Sequence, residues 1–569
     1  MRILFVARHF TYFRNYDAAL RELAARGHVI HLTVERSESL GGEQAVRALA
    51  EECPAITYGT MPDRGNDSWS DLSRRLRLGL DYLRYLDPFY DDAPLRRVRA
   101  RERTPEALIA LADPPALGGS WWRRRVAAAL HAVDRAVPLS PAIVDYLREQ
   151  RPDVLLITPL VDLGSQQIDV LRAARSLRIP TALAVWSWDH LSSKAYIRER
   201  PELVLVWNDT QRREAVDVHG IPAERVVVTG AQCFDHWFAR QPSRSREEFC
   251  RLLGLPAERP VVLYVCTGLI KGSPPEPPFV REWLARLRRS ADPRVATASV
   301  LIRPHPAQAQ PWEGVDLEGL GPVAVWGGNP IDAQSRADYF DSLFHSAAVV
   351  GLNTSAFIEA GIVGREVLTI LPPQYHDNQA GTVHFRYLLE IGGGLLRSSR
   401  TFDEHLTQLS AALAKPAGAG HPHKAFLESF VRPGGLDVPA TPAFVAAVEA
   451  LRQRPIAEED QAALAAPAWR RALAAHLSAA VGSPQMERWV LSPRERTVVE
   501  RGRAADARRA EARVEEERQR AAEADRAAAA KRAAREQRLA DKAAKLAEKR
   551  AASDLQREQA RAVGERGRS

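Results

Sequence analysis

The stretch GLNTSAFIEAGIVGREVLTI (351–370) decides how this chain folds. It opens at the end of an apolar run, AVVGLN (348–353), and turns at Asn353, Thr354 and Ser355. A helical segment carrying Glu359 follows, and the chain re-enters an apolar run at VLTIL (367–371). Both runs are continuously apolar rather than alternating, as strands buried on two faces are. A buried strand, a helix and a second buried strand make a βαβ unit, so the sheet is parallel.

The same alternation runs outward in both directions. The second half repeats it at VVLYVCT (261–267), SVLIRPHP (299–306) and VAVWG (323–327). The first half has ILFVA (3–7), VIHLTV (29–34), VLLIT (154–158), TALAVW (181–186), LVLVW (203–207) and VVVTG (226–230), with helical periods such as DAALRELAARG (17–27) between them. The expected fold class is therefore α/β, with two Rossmann-like doubly wound lobes. The N-terminal lobe spans 1–240, interrupted by an Arg-rich helical insertion at about 70–150. The C-terminal lobe spans 241–455, and a helical Ala/Arg/Glu/Lys-rich tail spans 456–569. Two such lobes face each other across a cleft at the carboxyl ends of their strands.

Composition narrows the class. The chain has 569 residues, 45% of them hydrophobic, and a net charge of +8. From Arg494 to Ser569 there are 22 Lys or Arg against 15 Asp or Glu, +7, so the remaining body is close to neutral. Nucleic-acid binding by the body is not indicated; any role for the charge belongs to the tail. No apolar stretch reaches 18 residues, and MRILFVARHF reads as a first strand rather than a leader. Four scattered cysteines fit reduced thiols in a cytoplasmic setting, at most peripheral to the inner face of a membrane. The tail favours helix, either a weak Ala-rich coiled coil giving a homo-oligomer or a single solvated helix. Trp121-Trp122 before Arg123, Arg124 and Arg125 has the residue types of an interfacial anchor, but also of a buried helix edge beside a solvated Arg cluster, the preferred reading.

The chemistry has to come from loops at strand ends, because Walker, GxGxxG, GxSxG, HExxH and Asp-x-Asp signatures are absent. No metal and no cofactor are expected. Asn353, Thr354 and Ser355 before a helix offer hydroxyls and free N–H groups to a phosphate, and Glu359 follows one turn later; an ordinary capped helix accounts for them equally. In LIRPHP (301–306), Arg303 suits a phosphate fork, and His305 suits phosphate donation or proton transfer. CTGLIKGSP (266–274) brings Thr267 and Gly268 to a turn where backbone can approach a phosphate. In the first lobe, RHFTYFRNY (8–16) and SWDHLSSK (187–194) supply Asp189, His190 and His9 as general-base candidates.

Taken together, VTGAQCFDHWF, LIRPHP and GLNTSAFIEAGIVGREVLTI resemble the two-Rossmann-lobe (GT-B) glycosyltransferase superfamily. Within it they are most similar to the CDP-glycerol glycerophosphotransferase and capsule polysaccharide transferase group. The resemblance implies a metal-independent transferase of surface polysaccharide biosynthesis. It would move a glycosyl or glycerophosphoryl group from a CDP- or UDP-linked donor to a hydroxyl acceptor such as a lipid-linked glycan. It also implies Arg303 and His305 on donor phosphate, Thr354 and Ser355 on the diphosphate, and Glu359 on the ribose. The 70–150 insertion matches nothing in that group. Two other readings stand beside this one. One is a non-hydrolysing sugar-nucleotide 2-epimerase of the same fold; the other is a non-catalytic nucleotide-sugar-binding scaffold assembled through the tail.

Overall fold

A computed structural model describes residues 1–36, 41–65, 67–114, 119–415, 421–462 and 464–565. The chain divides into two units, Met1–Pro493 and Arg494–Ser569.

The first unit holds two parallel sheets. One comprises β1 (Arg2–Ala7), β2 (Val29–Val34), β3 (Ile56–Thr60), β4 (Val154–Thr158), β5 (Thr181–Ala184), β6 (Leu203–Val206) and β7 (Val226–Val228), in the order β3-β2-β1-β4-β5-β6-β7. The other comprises β8 (Val261–Val265), β9 (Ser299–Arg303), β10 (Val323–Val325), β11 (Ala348–Gly351), β12 (Glu366–Ile370) and β13 (Leu396–Ser399), in the order β10-β9-β8-β11-β12-β13. Apart from the extra edge strand β7, both sheets have the doubly wound order 3-2-1-4-5-6. This is the two-lobe α/β class expected from the sequence. In each lobe the winding reverses between the first and fourth strands, and a crevice opens beyond their carboxyl ends. That places the loops after β1 and β4 in one lobe opposite the loops after β8 and β11 in the other.

The central strands β4, β5, β6, β8, β9, β11 and β12 are buried along their whole length, which is why their sequences are unbroken apolar runs. The two strands the periodicity did not reveal, ITYGT and LRSS, are the edges β3 and β13. Each has only one neighbour and is partly solvated, so its composition is mixed.

Helices complete the lobes. In the first lobe, α1 (Asp17–Ala25) buries Ala19, Leu20 and Leu23. The insertion is built on α2 (Ser68–Arg84) and α3 (Ser120–Ala136), which join Leu72, Leu76, Val126 and Leu130 in a core of their own. Next, α4 (Pro141–Gln150) leaves the insertion and packs Ile143, Val144 and Leu147 with Ile168 and Leu171 of α5 (Gln167–Ser176), so it belongs to the sheet. A buried ionic lattice fixes the insertion to that sheet. Arg77 bonds Asp134 at 3.1 Å and Asp169 at 2.8 Å; Arg172 bonds Asp134 at 2.8 Å and Glu199 at 3.1 Å. In the second lobe α6 (Glu276–Arg288) inserts Trp283 into the core, and α7 (Ala333–Phe344) and α8 (Ala356–Ile362) flank β11.

The chain then returns. The helix α9 (Thr441–Leu451) packs Phe444, Val445, Val448 and Leu451 into the first lobe's core beside Tyr16, Leu20 and Leu23. Outgoing and returning segments meet at Asp235. Its carboxylate accepts from Arg432 at 2.8 Å, from the Ala440 and Thr441 amides at 3.0 and 2.7 Å, and from the Thr441 hydroxyl at 2.6 Å. Gly230 has φ +83°, and a Cβ there would stand 2.6 Å from Ala440, so only glycine lets the two segments lie this close. The stretch taken from sequence as tail, 456–569, divides at Arg494. Its first part includes α10 (Ala468–Val481), whose Ala474 is fully buried in the insertion's core. The second unit is essentially one helix, α11 (Pro493–Glu565), exposed at every residue from 501 to 560.

Candidate functional site

At the second-lobe switch point the loops after β8 and β11 are joined directly. The Thr267 hydroxyl accepts from the Asn353 amide at 3.1 Å, and the Thr267 amide donates to Glu276 at 2.8 Å. The Asn353 side chain donates to the Asn378 carbonyl at 2.6 Å, while its Oδ1 is buried with no hydrogen-bond partner among the described residues. Thr354 accepts from the Ala356 amide at 3.3 Å as a local cap, and Ser355 is exposed beside it. A Cβ on Gly268 would lie 3.1 Å from His305 Nε2, so the glycine leaves the imidazole room. His305 Nδ1 accepts from the Ala307 amide at 3.2 Å, which assigns the proton of the neutral ring to Nε2. Burial lowers its pKa, so at neutral pH the ring is an uncharged donor. Thr267, Gly268, His305 and Asn353 thus come together.

Arg303 and Glu359 meet through a residue that the sequence did not single out. The Arg303 guanidinium lies 4.9 Å from the Tyr339 ring centroid and donates to Ser342 and to the Gly328 carbonyl, at 3.2 and 3.1 Å. The Tyr339 hydroxyl donates to Glu359. Burial pushes the Glu359 carboxyl up to about 7, against the pull of Tyr339, Arg14 and Arg303. Arg14 belongs to the first lobe, in the segment after β1, so this is where the two lobes address each other. Tyr339 lies mid-helix in ADYFDSLF, where only the helix register brings it to Glu359. Arg14 was within a quoted loop, and its reach into the other lobe is a tertiary fact.

The first-lobe candidates are held differently. His190 is fully buried, with Nδ1 accepting from the Trp186 amide at 3.2 Å and Nε2 bonded to the Pro159 carbonyl at 2.7 Å. With both nitrogens committed and burial pulling its pKa to about 3, it braces the loop rather than moving protons. Asp189 accepts from Ser187 and Ser193 at 2.5 and 2.8 Å and pairs with Lys194 at 3.3 Å. Burial opposes its ionisation, yet Lys194 and the two hydroxyls hold it well below the usual carboxylate range. So stabilised a carboxylate accepts hydrogen bonds but is a weak base. His9 packs its ring 4.5 Å from Tyr12.

Two further groups here escaped the sequence reading. Burial pushes Glu35, just past β2, up to about 7 although Arg8 and Arg36 pull it down. Tyr12 feels the charges of both Glu35 and Asp189, which places the three in one neighbourhood. His384 of the second lobe packs edge-to-face on Trp188 at 4.7 Å, and burial lowers its pKa to about 4, so its ring stands neutral near Asp189. Its position in HDNQAGTVHF, after β12, was the available signal: a histidine in a loop at a strand's carboxyl end. Among the described residues no group of three or more His, Cys, Asp or Glu is placed to hold a metal ion.

Similar architectures occur among solved structures. A glycosyltransferase from Rickettsia africae ESF-5 is 11% identical, with a TM-score of 0.45 over 79% of this chain and 98% of its own. A putative UDP-N-acetylglucosamine 2-epimerase from Listeria monocytogenes is 10% identical, with 0.44 over 79% and 96%. A UDP-GlcNAc 2-epimerase from Neisseria meningitidis bound to UDP-GlcNAc is 12% identical, with 0.42 over 79% and 100%. No protein-family model matches the sequence, and no curated protein matches it either.

Proposed function

We propose that this protein is a transferase using a nucleotide-activated donor. It would move a glycosyl or glycerophosphoryl group to a hydroxyl acceptor held by the first lobe. The observation that carries the reading is the convergence of Arg303, Tyr339 and Glu359 with Arg14 of the facing lobe, next to the Thr267–Asn353 junction. A carboxyl poised near neutrality suits paired ribose hydroxyls. The neutral His305 donor and the Thr354 and Ser355 hydroxyls suit a diphosphate. Arg303 is braced by the Tyr339 ring and two hydrogen bonds, and a preorganised cation stabilises charge on a departing nucleotide without reorganising.

On the acceptor side Glu35 takes the base role that the sequence assigned to Asp189. A carboxyl near 7 is both substantially ionised at neutral pH and basic enough to accept a hydroxyl proton. Asp189 then orients the acceptor by hydrogen bonding, with Lys194 fixing its charge. A lipid-linked glycan and surface polysaccharide synthesis remain the acceptor and pathway proposed from the sequence resemblance.

Thermal-shift screening against CDP-, UDP-, GDP- and CMP-linked ligands tests the donor site. A ligand at a hundred times its Kd should stabilise the protein by about 2.7 kcal/mol. If no nucleotide ligand stabilises it, the reading fails. Inversion of a UDP-sugar at C2 with no acceptor present would replace transfer by epimerisation.

A further inference from the structure

The tail's charge is not spread evenly. Residues 494–525 hold nine Lys or Arg and nine Asp or Glu, whereas 526–550 hold nine against three, +6. Within that second stretch Lys531, Arg535, Arg538, Lys542, Lys545 and Lys549 recur at alternating steps of four and three. On an α-helix these six fall within about 40° of a single line and extend for about 27 Å along it. The opposite side is alanine: Ala529, Ala533, Ala540, Ala544, Ala547 and Ala551. Leu539 and Leu546, 59% and 55% exposed, stand on one flank of the cationic line, about 60–80° round the helix.

This arrangement does not stabilise the helix. Like charges three and four residues apart work against it, and opposite-charge pairs are what would support it. The ion pairs Arg509–Asp506 and Arg520–Glu516 lie earlier in α11, and among the described residues none of the six cations has a carboxylate partner. An unpaired stripe of one sign offers a complementary face to a counter-surface of the other. Cations alone would suit any polyanion; leucines beside them suit a surface with an apolar layer beneath its anions. The first unit independently exposes Trp121 and Trp469, by 61% and 63%, each with an arginine guanidinium 5.1 Å from its ring centroid. Trp121 departs from the buried-edge expectation, whereas Trp122 packs against the insertion's core as that expectation had it; tryptophan with arginine is an interfacial pairing.

We propose that α11 lies along an anionic lipid surface, with the 531–549 stripe on the headgroup phosphates and Leu539 and Leu546 in the interfacial layer. This stands apart from the transferase reading, and either can fail alone.

The test is co-sedimentation of the full chain with vesicles of phosphatidylcholine, with and without about 30% phosphatidylglycerol. Binding should require the anionic lipid and fall steeply with added salt. The triple substitution Lys542→Gln, Lys545→Gln and Lys549→Gln should weaken it about a hundredfold, at about fivefold per charge. Leu539→Ser with Leu546→Ser should weaken it at least about threefold at unchanged charge, with helicity verified by circular dichroism. Equal binding to neutral vesicles would overturn the proposal, as would unchanged binding by either variant. So would retention of a duplex oligonucleotide in place of vesicles.

Discussion

On the proposed reading, Glu359 gives the donor site a pH dependence whose sign and size follow from its surroundings. Its carboxyl sits at about 7, so at pH 7 about half the molecules carry it protonated. Ribose hydroxyls need an ionised acceptor, so donor binding draws the carboxyl to its charged form and releases a proton. About a tenth of free sites are ionised at pH 6 and nine-tenths at pH 8, so apparent Kd should fall about tenfold between them. The assay is isothermal titration with a UDP- or CDP-linked sugar, whose diphosphate diester does not ionise near neutrality. His305 has the opposite sign, but its lowered pKa confines that effect to more acidic solution. Glu359→Gln should abolish the slope and hold affinity near its low-pH level. The same shift acts on folding. Because the native carboxyl binds protons more tightly than the ordinary 4.5, stability falls as pH rises from there to about 7, and Glu359→Gln should flatten that fall. A wild-type affinity flat from pH 6 to 8, or a slope that survives in Glu359→Gln, would refute the ribose assignment.

Other expectations concern chemistry and architecture. Glu35→Gln should lower turnover by about 10² to 10⁴ while donor Kd stays unchanged, and the wild-type kcat profile should rise through pH 7; a variant of normal turnover moves the base elsewhere. Activity should survive EDTA, and its loss with recovery on adding Mn²⁺ would refute metal-independent transfer. Asp134→Ala strands the buried Arg77 and Arg172, so denaturant unfolding should show a loss of about 3–5 kcal/mol. A near-neutral result would mean the lattice does not hold the insertion in place.

How much of this was legible in the sequence depends on whether the cause is local. Strands buried on both faces announce themselves by unbroken apolar runs; of the thirteen strands among the described residues eleven show such runs, the valine-rich edges β7 and β10 included. The edges β3 and β13 were hidden because half-solvated strands have mixed composition. The junction of the loops after β8 and β11 was legible because hydroxyls and glycines cluster there. Tyr339 and His384 were not, since nothing near them in sequence marks which group they will meet. His190 and Asp189 show what residue type leaves out: both His190 ring nitrogens are bonded within the fold, and Asp189 is held by two serines and Lys194. Poise came instead to Glu35 and Glu359 through burial, which neither spacing nor composition records.

The knot at Asp235 has a mechanical consequence. Among the described residues the chain crosses between lobes twice, and both crossings are tied at one carboxylate, a fixed spine about which any opening of the cleft would turn. Points near a spine travel little as a book opens. Cys233, two residues from that spine, has its thiol pushed up by burial and by the charges of Glu359 and Asp235, so Glu359 lies at the bound edge of the page. In the transferase proposed above, the nucleoside end of the site would therefore be the part least displaced by any opening of the cleft. A spent nucleotide would then stay seated as the product leaves, and the order of release would follow from where the chain is tied.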